Sequence, residues 1–204
     1  PSRGELPASG WVQDHLVYTH GNGLVTAPAD RPGADGRPDV DALDDVIHPA
    51  RDELYFAEGM VDWYAIVSTK RAEQGGATFT ADTGLPVDGL AQRGVLALAT
   101  GDIEPLFSAE LTAESQLLYR RDVSERIRAI APFLTLDRDP YPVATADGIT
   151  WIVDAYTTSS TYPYAEFTSL VGQRVNFAHA SVKATVDAYD GTVHLYRTVA
   201  GEDD

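Results

Sequence analysis

The 204-residue chain has no cysteine. That absence removes disulfides, thiolate metal ligands and a cysteine nucleophile. It suits the cytosol, and equally a bacterial extracytoplasmic protein that does without disulfides. Cations are scarce: 15 Lys plus Arg stand against 31 Asp plus Glu, a formal net charge of -16. Nucleic acid is therefore not an expected partner, because binding it requires clustered cations that displace counterions. An anionic lipid surface is repelled for the same reason. No cofactor is called for, although cationic ligands and a divalent cation such as calcium are compatible with this charge; the plainer reading is a solvated acidic surface. Long apolar runs are missing too. Val95-Leu96-Ala97-Leu98-Ala99 is typical of the longest, far short of the ~18 residues of a membrane span. No signal peptide is visible. The G-x-S-x-G, P-loop and G-x-G-x-x-G signatures are absent, and His15, His20, His48, His179 and His194 form no H-x-x-x-H or H-E-x-x-H pair.

What is present is a chain 44% hydrophobic, enough to bury a real core. The pattern predicts an α+β fold, with antiparallel β-hairpins forming a mixed or antiparallel sheet and two or three short helices. Residues 1–10 are expected to be a flexible N-terminal segment, 11–197 a single α+β domain, and 198–204 an acidic tail. Trp11 to Tyr18, Glu53 to Phe56 and Trp63 to Thr69 read as strands. Tyr18-Thr19-His20-Gly21-Asn22-Gly23 is a tight turn or close-approach loop, since its glycines permit positive φ. Ala27 to Asp45 is loop-like with an Asp35-Gly36 turn, and Lys70 to Thr83 an exposed loop. Asp88 to Thr100 is a helix with Leu90, Gly94, Ala97 and Leu98 on its core face, stopped by Gly101. Asp122 to Ala131 is a second helix. It is introduced by a D-x-x-E pair, striped by Val123, Ile127, Ile130 and Ala131, and ended by Pro132. Residues 110–121 fit a helix or a strand. Two hairpins follow, around Asp147-Gly148 and Asp190-Gly191, the dipeptide that type I′ turns prefer.

Those hairpins carry a twin motif, Val153-Asp154-Ala155-Tyr156 and Val186-Asp187-Ala188-Tyr189. One copy follows its turn and the other precedes it, so no duplication is implied. Strand alternation puts Ile149, Trp151, Val153 and Ala155 on one face, and likewise Val182, Ala184, Val186 and Ala188. Asp154, Tyr156, Lys183, Asp187 and Tyr189 then fall on the opposite faces, which would meet on one polar surface of a sheet. Paired carboxylates beside tyrosines bind cations or hydroxyls, or do acid/base work when one pKa is shifted; outward polar residues are the plainer account. Arg120, Arg121, Arg126 and Arg128 precede Asp137-Arg138-Asp139, a pattern for ion pairing. An anion pocket, or Asp137 and Asp139 as hard-oxygen metal ligands, is the functional version. His20, between Tyr18 and two glycines, is the one histidine in a suggestive setting.

These motifs together resemble a known family. Tyr18-Thr19-His20-Gly21-Asn22-Gly23 is similar to the YTHGYG motif of uncharacterised protein family 0182, large bacterial integral membrane proteins; Asn22 replaces an aromatic. Leu118-Tyr119-Arg120-Arg121-Asp122 with Ile130-Ala131-Pro132-Phe133-Leu134, and Asp137-Arg138-Asp139-Pro140-Tyr141-Pro142-Val143, match in order. So do Trp151-Ile152-Val153-Asp154-Ala155-Tyr156-Thr157-Thr158-Ser159 and Ser181-Val182-Lys183-Ala184-Thr185-Val186-Asp187-Ala188-Tyr189-Asp190-Gly191. Lys70 to Thr83 departs from the family pattern. The resemblance implies an extracytoplasmic region of a cell-membrane protein, partnered by that protein's own spanning region. It implies no reaction.

The leading expectation is a non-enzymatic domain binding a small ligand or an envelope component. Its candidate residues are Tyr18, His20, Arg120, Arg121, Asp154, Tyr156, Lys183, Asp187 and Tyr189. A cell-envelope hydrolase or transferase built on two carboxylates is the alternative, and requires separations of roughly 5–10 Å. A structural oligomerisation domain is the third, and predicts a large exposed apolar patch without a cleft.

Overall fold

The structure is a computed structural model that describes residues 10–23, 30, 32–37, 49–60 and 62–198. Apart from Gly10 and Thr198, the expected N-terminal segment and acidic tail lie outside those residues. So does most of the loop expected from Ala27 to Asp45. The strands are β1 (Gly21–Asn22), β2 (Glu53–Leu54), β3 (Tyr64–Val67), β4 (Leu85–Pro86), β5 (Gln116–Tyr119) and β6 (Thr135–Leu136). They continue with β7 (Tyr141–Ala144), β8 (Ile149–Ser159), β9 (Thr168–Leu170), β10 (Gln173–Val175), β11 (Phe177–Asp187) and β12 (Val193–Arg197). The α-helices are α1 (Leu90–Thr100), α2 (Glu104–Phe107) and α3 (Val123–Ile130). The fold is α+β, as the pattern predicts. The chain divides into two compact units, Pro1–Gly21 with Gly59–Asp122, and Asn22–Glu58 with Val123–Asp204.

In the first unit β5 lies between β3 and β4, all antiparallel. All four residues of β3 are buried, so a strand whose β-branched and aromatic composition suggests half-burial is covered on both faces. The core joins Leu16, Tyr64, Ile66, Val87, Leu96, Leu111 and Leu117, with Trp11 and Val12 packed against it. Trp11 to Tyr18 is not the strand expected. It is helical, ending in a π-helical turn over Gln13–Val17. The apolar residues Val12 and Leu16 are four apart, which is helical spacing rather than alternation. The His15 ring stacks on Tyr64 at 4.0 Å, and Trp11 Nε1 donates to Tyr64 Oη at 2.9 Å. Within the ambiguous 110–121 stretch, Gln116–Tyr119 is the central strand β5. Lys70 to Thr83 is a loop, but not wholly exposed: Glu73 and Phe79 are buried.

Helix α1 ends on Gly101 in the left-handed region, as its glycine stop predicts. Its faces follow expectation at Ala97 but not at the two leucines. Leu96 and Ala97 are buried, while Leu90 and Leu98 point to solvent. The Arg93 guanidinium turns inward to the carbonyls of Val87, Ser108 and Leu111, on the same side as Leu96, which packs in the core.

The second unit is built on a five-stranded antiparallel sheet, β12-β11-β8-β6, with β7 also paired to β8. The two 11-residue strands β8 and β11 form its spine. Ile149, Trp151, Val153, Ala155, Ala184, Val186 and Ala188 are all buried, so the expected core faces are correct. From α3, Val123, Ile127 and Ala131 are buried; Ile130, placed in the same stripe, is exposed. A bulge between Ala180 and Val182 resets the register of β11. The hairpin turns are chemically different from expectation. Thr145 N–H bonds Gly148 O at 2.8 Å, so Ala146 and Asp147 occupy the turn, and Gly148 does not take positive φ. The two-residue loop with positive φ at both positions is Val171-Gly172, between β9 and β10.

Candidate functional site

The nine candidate residues do not form one site. They fall into three settings, two of which resolve into ordinary structural chemistry.

In the first unit, the Tyr18-to-Gly21 part of the glycine-containing segment feeds a buried polar cluster. Thr19, His20, Glu73 and Arg121 are all buried. Arg121 Nη2 donates to the Thr19 carbonyl, and the Thr19 hydroxyl donates to Glu73 Oε2. Glu73 Oε1 accepts the Phe79 N–H at 3.2 Å. The ring nitrogens of His20 lie 3.0 Å from the Gly21 carbonyl and 3.1 Å from the Gln74 carbonyl. Thus Arg121 and Glu73 are bridged through one threonine, and a buried charge is satisfied rather than presented. Tyr18 closes the π-helical turn through its N–H on Gln13 O. Arg120 is exposed, with φ of 50°.

On the outer face of β8 and β11, Asp154 sits opposite Lys183. Lys183 Nζ lies 2.5 Å from Asp154 Oδ1, and both side chains are well exposed. The bond to Asp154 raises the Lys183 pKa. Tyr156 Oη donates to Asp137 Oδ2 at 3.2 Å; burial, and then this bond, raise its pKa. Asp137 Oδ1 accepts the N–H groups of Arg138 and Asp139 at 2.6 and 3.3 Å. Its carboxylate thus organises its own loop and does not meet the arginine-rich helix as expected. Arg126 Nε donates instead to the Gly191 carbonyl at 2.6 Å, with its guanidinium over the Phe56 ring. Among the described residues no three His, Cys, Asp or Glu side chains gather to hold a metal ion.

Asp154 and Asp187 occupy the same sheet face but not the same place. Asp187 lies opposite Thr150, four residues along β11 from the Asp154–Lys183 pair (187 − 183). At a rise of about 3.3 Å per residue that is roughly 13 Å, beyond the separation paired-carboxylate chemistry needs. Nor does the second Asp-Tyr pair project from the strand as alternation predicts. The strand ends at Asp187. Asp187 Oδ1 accepts the N–H groups of Tyr189 and Asp190 at 2.8 and 3.0 Å, and folds the chain into its turn. Tyr189 is buried there, edge-on to Tyr55 and beneath the Arg51 guanidinium at 4.6 Å.

That turn forms one wall of a cleft of about 540 Å³ in the second unit. The β7–β8 turn and the segment entering β2 form the others. Arg51, Glu53, Asp147, Asp187, Tyr189 and Asp190 are among its lining residues. Of the nine candidates, only Asp187 and Tyr189 reach it. Arg51, Glu53, Asp147 and Asp190 are not among the sequence candidates; the two Asp-Gly turns are a signal for Asp147 and Asp190, and no motif marks Arg51 or Glu53. The volume is that of a small-molecule site, but the lining is far more acidic than the apolar walls usual for such sites. Four carboxylate residues and one guanidinium favour a cation that also accepts and donates hydrogen bonds.

Comparison with known proteins agrees with the motif resemblance. The family described as Uncharacterised protein family (UPF0182) matches residues 3–203. The UPF0182 protein of Geobacter sp. (strain M21) is 37% identical over 210 residues, covering 96% of this chain and 23% of the relative. That of Salinispora tropica is 36% identical over 246 residues, covering 98% and 25%. That of Bifidobacterium longum is 38% identical over 223 residues, covering 91% and 21%. The chain thus spans no more than about a quarter of the length of these relatives. No solved structure matches. By a match along almost its whole length, this chain belongs to the uncharacterised protein family UPF0182.

Proposed function

We propose that the chain is an extracytoplasmic binding domain of a larger, multi-spanning bacterial membrane protein, and that its second unit takes a small, hydroxylated, cationic ligand in the acidic cleft. The observation that carries the binding reading is the cleft itself, with Glu53, Asp147, Asp187 and Asp190 among its lining residues. A protonated amine is drawn to that set of charges, and Thr145 and Thr150 add hydroxyls for sugar-type contacts. An amino sugar of the envelope has this chemistry. The membrane context rests on the motif resemblance and on relatives about four times the length of the matched region. No helix among the described residues is long and apolar enough to cross a membrane. On this reading the spans belong to the rest of the longer polypeptide, which is also the domain's nearest partner.

Isothermal titration tests the cleft. Glucosamine should bind, and N-acetylglucosamine, which lacks the cation, should bind at least tenfold more weakly. Asp190→Asn combined with Glu53→Gln should weaken glucosamine binding and leave the melting temperature nearly unchanged. Equal binding of the two sugars, or no effect of the double substitution, contradicts the reading. Calcium alone tests the metal alternative: saturable binding abolished by Asp137→Asn would restore it.

A further inference from the structure

A second feature lies in the first unit and does not depend on the cleft. The exposed positions of α1 are Leu90, Ala91, Gln92, Val95, Leu98 and Ala99, and only Gln92 is polar. Ile103 and Phe107 extend the surface through α2. Leu90, Val95, Leu98, Ile103 and Phe107 are 65–87% exposed. Taking about 200 Å² for a whole large side chain, they present on the order of 700 Å² of apolar surface. The largest patch on an ordinary monomer is about 300–600 Å². A standard interface covers about 800 Å² on each partner.

The charge pattern narrows the occupant. The chain carries -16, yet α1 contains no Asp or Glu, and its single cation, Arg93, is turned inward onto three carbonyls. An anionic bilayer is repelled by the rest of the molecule. A second copy meets the same long-range repulsion, but at contact it offers an α1 face free of charge and of matching area, with Glu104 of α2 the acidic residue beside Ile103. Such a face is self-complementary about a two-fold axis.

We propose that α1 and α2 form a two-fold interface with a second copy of this chain. Sedimentation velocity of the 204-residue chain from about 1 to 500 µM should show a monomer–dimer equilibrium. Raising sodium chloride should tighten it severalfold, because salt screens the repulsion between two acidic copies. Leu98→Glu should weaken dimerisation roughly a hundredfold, because it buries an unpaired carboxylate at the interface, without moving the thermal midpoint of the dilute monomer. The absence of cysteine provides a second readout that does not require Leu98→Glu to fold. Val95→Cys, at the midpoint of α1, should give a disulfide-linked dimer under mild oxidation, while Glu114→Cys should not. A monomer at every concentration and salt overturns the proposal. So does a dimer indifferent to Leu98→Glu, or equal cross-linking at both cysteines. A monomer that floats with phosphatidylcholine vesicles overturns it in favour of a lipid surface. Amine binding by the cleft is a separate readout, so failure of one proposal leaves the other standing.

Discussion

Gly191→Ala tests how the cleft wall is built. Gly191 has φ of 74°, in the left-handed region. Placing alanine there costs about 1 kcal/mol in backbone strain. A Cβ at this position would also lie 2.6–2.8 Å from three atoms of the Phe56 ring. That ring is buried, with the Arg126 guanidinium stacked at 4.5 Å, so it has little room to retreat. Overpacking of this kind costs a further ~1–3 kcal/mol. The expected total is about 2–4 kcal/mol. Gly172→Ala is the control in the same unit. Gly172 has φ of 80°, but its added methyl meets only the end of the Arg138 side chain, at 3.1 Å, so strain alone, about 1 kcal/mol, should appear. Urea unfolding followed by far-UV circular dichroism measures both. Adding Phe56→Leu to Gly191→Ala should recover about 1 kcal/mol relative to the sum of the single changes. Equal losses for the two glycine substitutions would refute the argument from the Phe56 contact.

Three further outcomes follow from the other settings. Arg121→Met should destabilise the first unit by about 3–5 kcal/mol, since it breaks a buried charge network; Arg120→Met, on the surface, should stay within about 0.5 kcal/mol. The coupling between Asp154 and Lys183 in a double-mutant cycle should be below about 1 kcal/mol, because the pair is solvated. Stability should fall above about pH 10: the folded pKa values of Tyr64, Tyr156 and Lys183 all lie above the unfolded values of 10.0, 10.0 and 10.5. Such groups contribute fully below the unfolded pKa and lose that contribution as pH rises toward the folded one. Burial is the main cause for Tyr64, so Tyr64→Phe should flatten the alkaline slope in a pH-dependent thermal melt.

How far the sequence could be read depended on what each pattern constrained. Period-two alternation in β8 and β11 identified the buried face correctly, because a strand buried on one side has only two choices. Helix α1 shows the opposite case. Its outward Leu90 and Leu98 look like a core stripe, while the buried side carries Leu96 and the inward hydrogen bonds of Arg93, which periodicity does not anticipate. The Asp-Tyr pairs were legible as polar but not as separate. Their distance is set by strand register, and the fate of Tyr189 by where β11 ends, and neither is encoded in the motif. Asp137 looked like a ligand and is spent on backbone N–H groups, a local use that the sequence does not distinguish from a site; Asp187 uses Oδ1 in the same way while also lining the cleft. The cleft was illegible because its walls come from Arg51, Asp147 and Asp190, far apart in the chain and joined only by folding. The family was the most legible feature, since long ordered motifs survive where geometry is unknown.

The cleft is the central claim, and backbone amide shifts of isotopically labelled chain during a glucosamine titration test it most directly. Binding there predicts saturable shifts at Arg51, Glu53, Asp147, Asp187 and Asp190, with Asp154 and Lys183 unmoved. Shifts confined to the Asp154–Lys183 face or to the His20–Arg121 cluster would place the site elsewhere, and an unchanged spectrum at saturating amine would contradict the account.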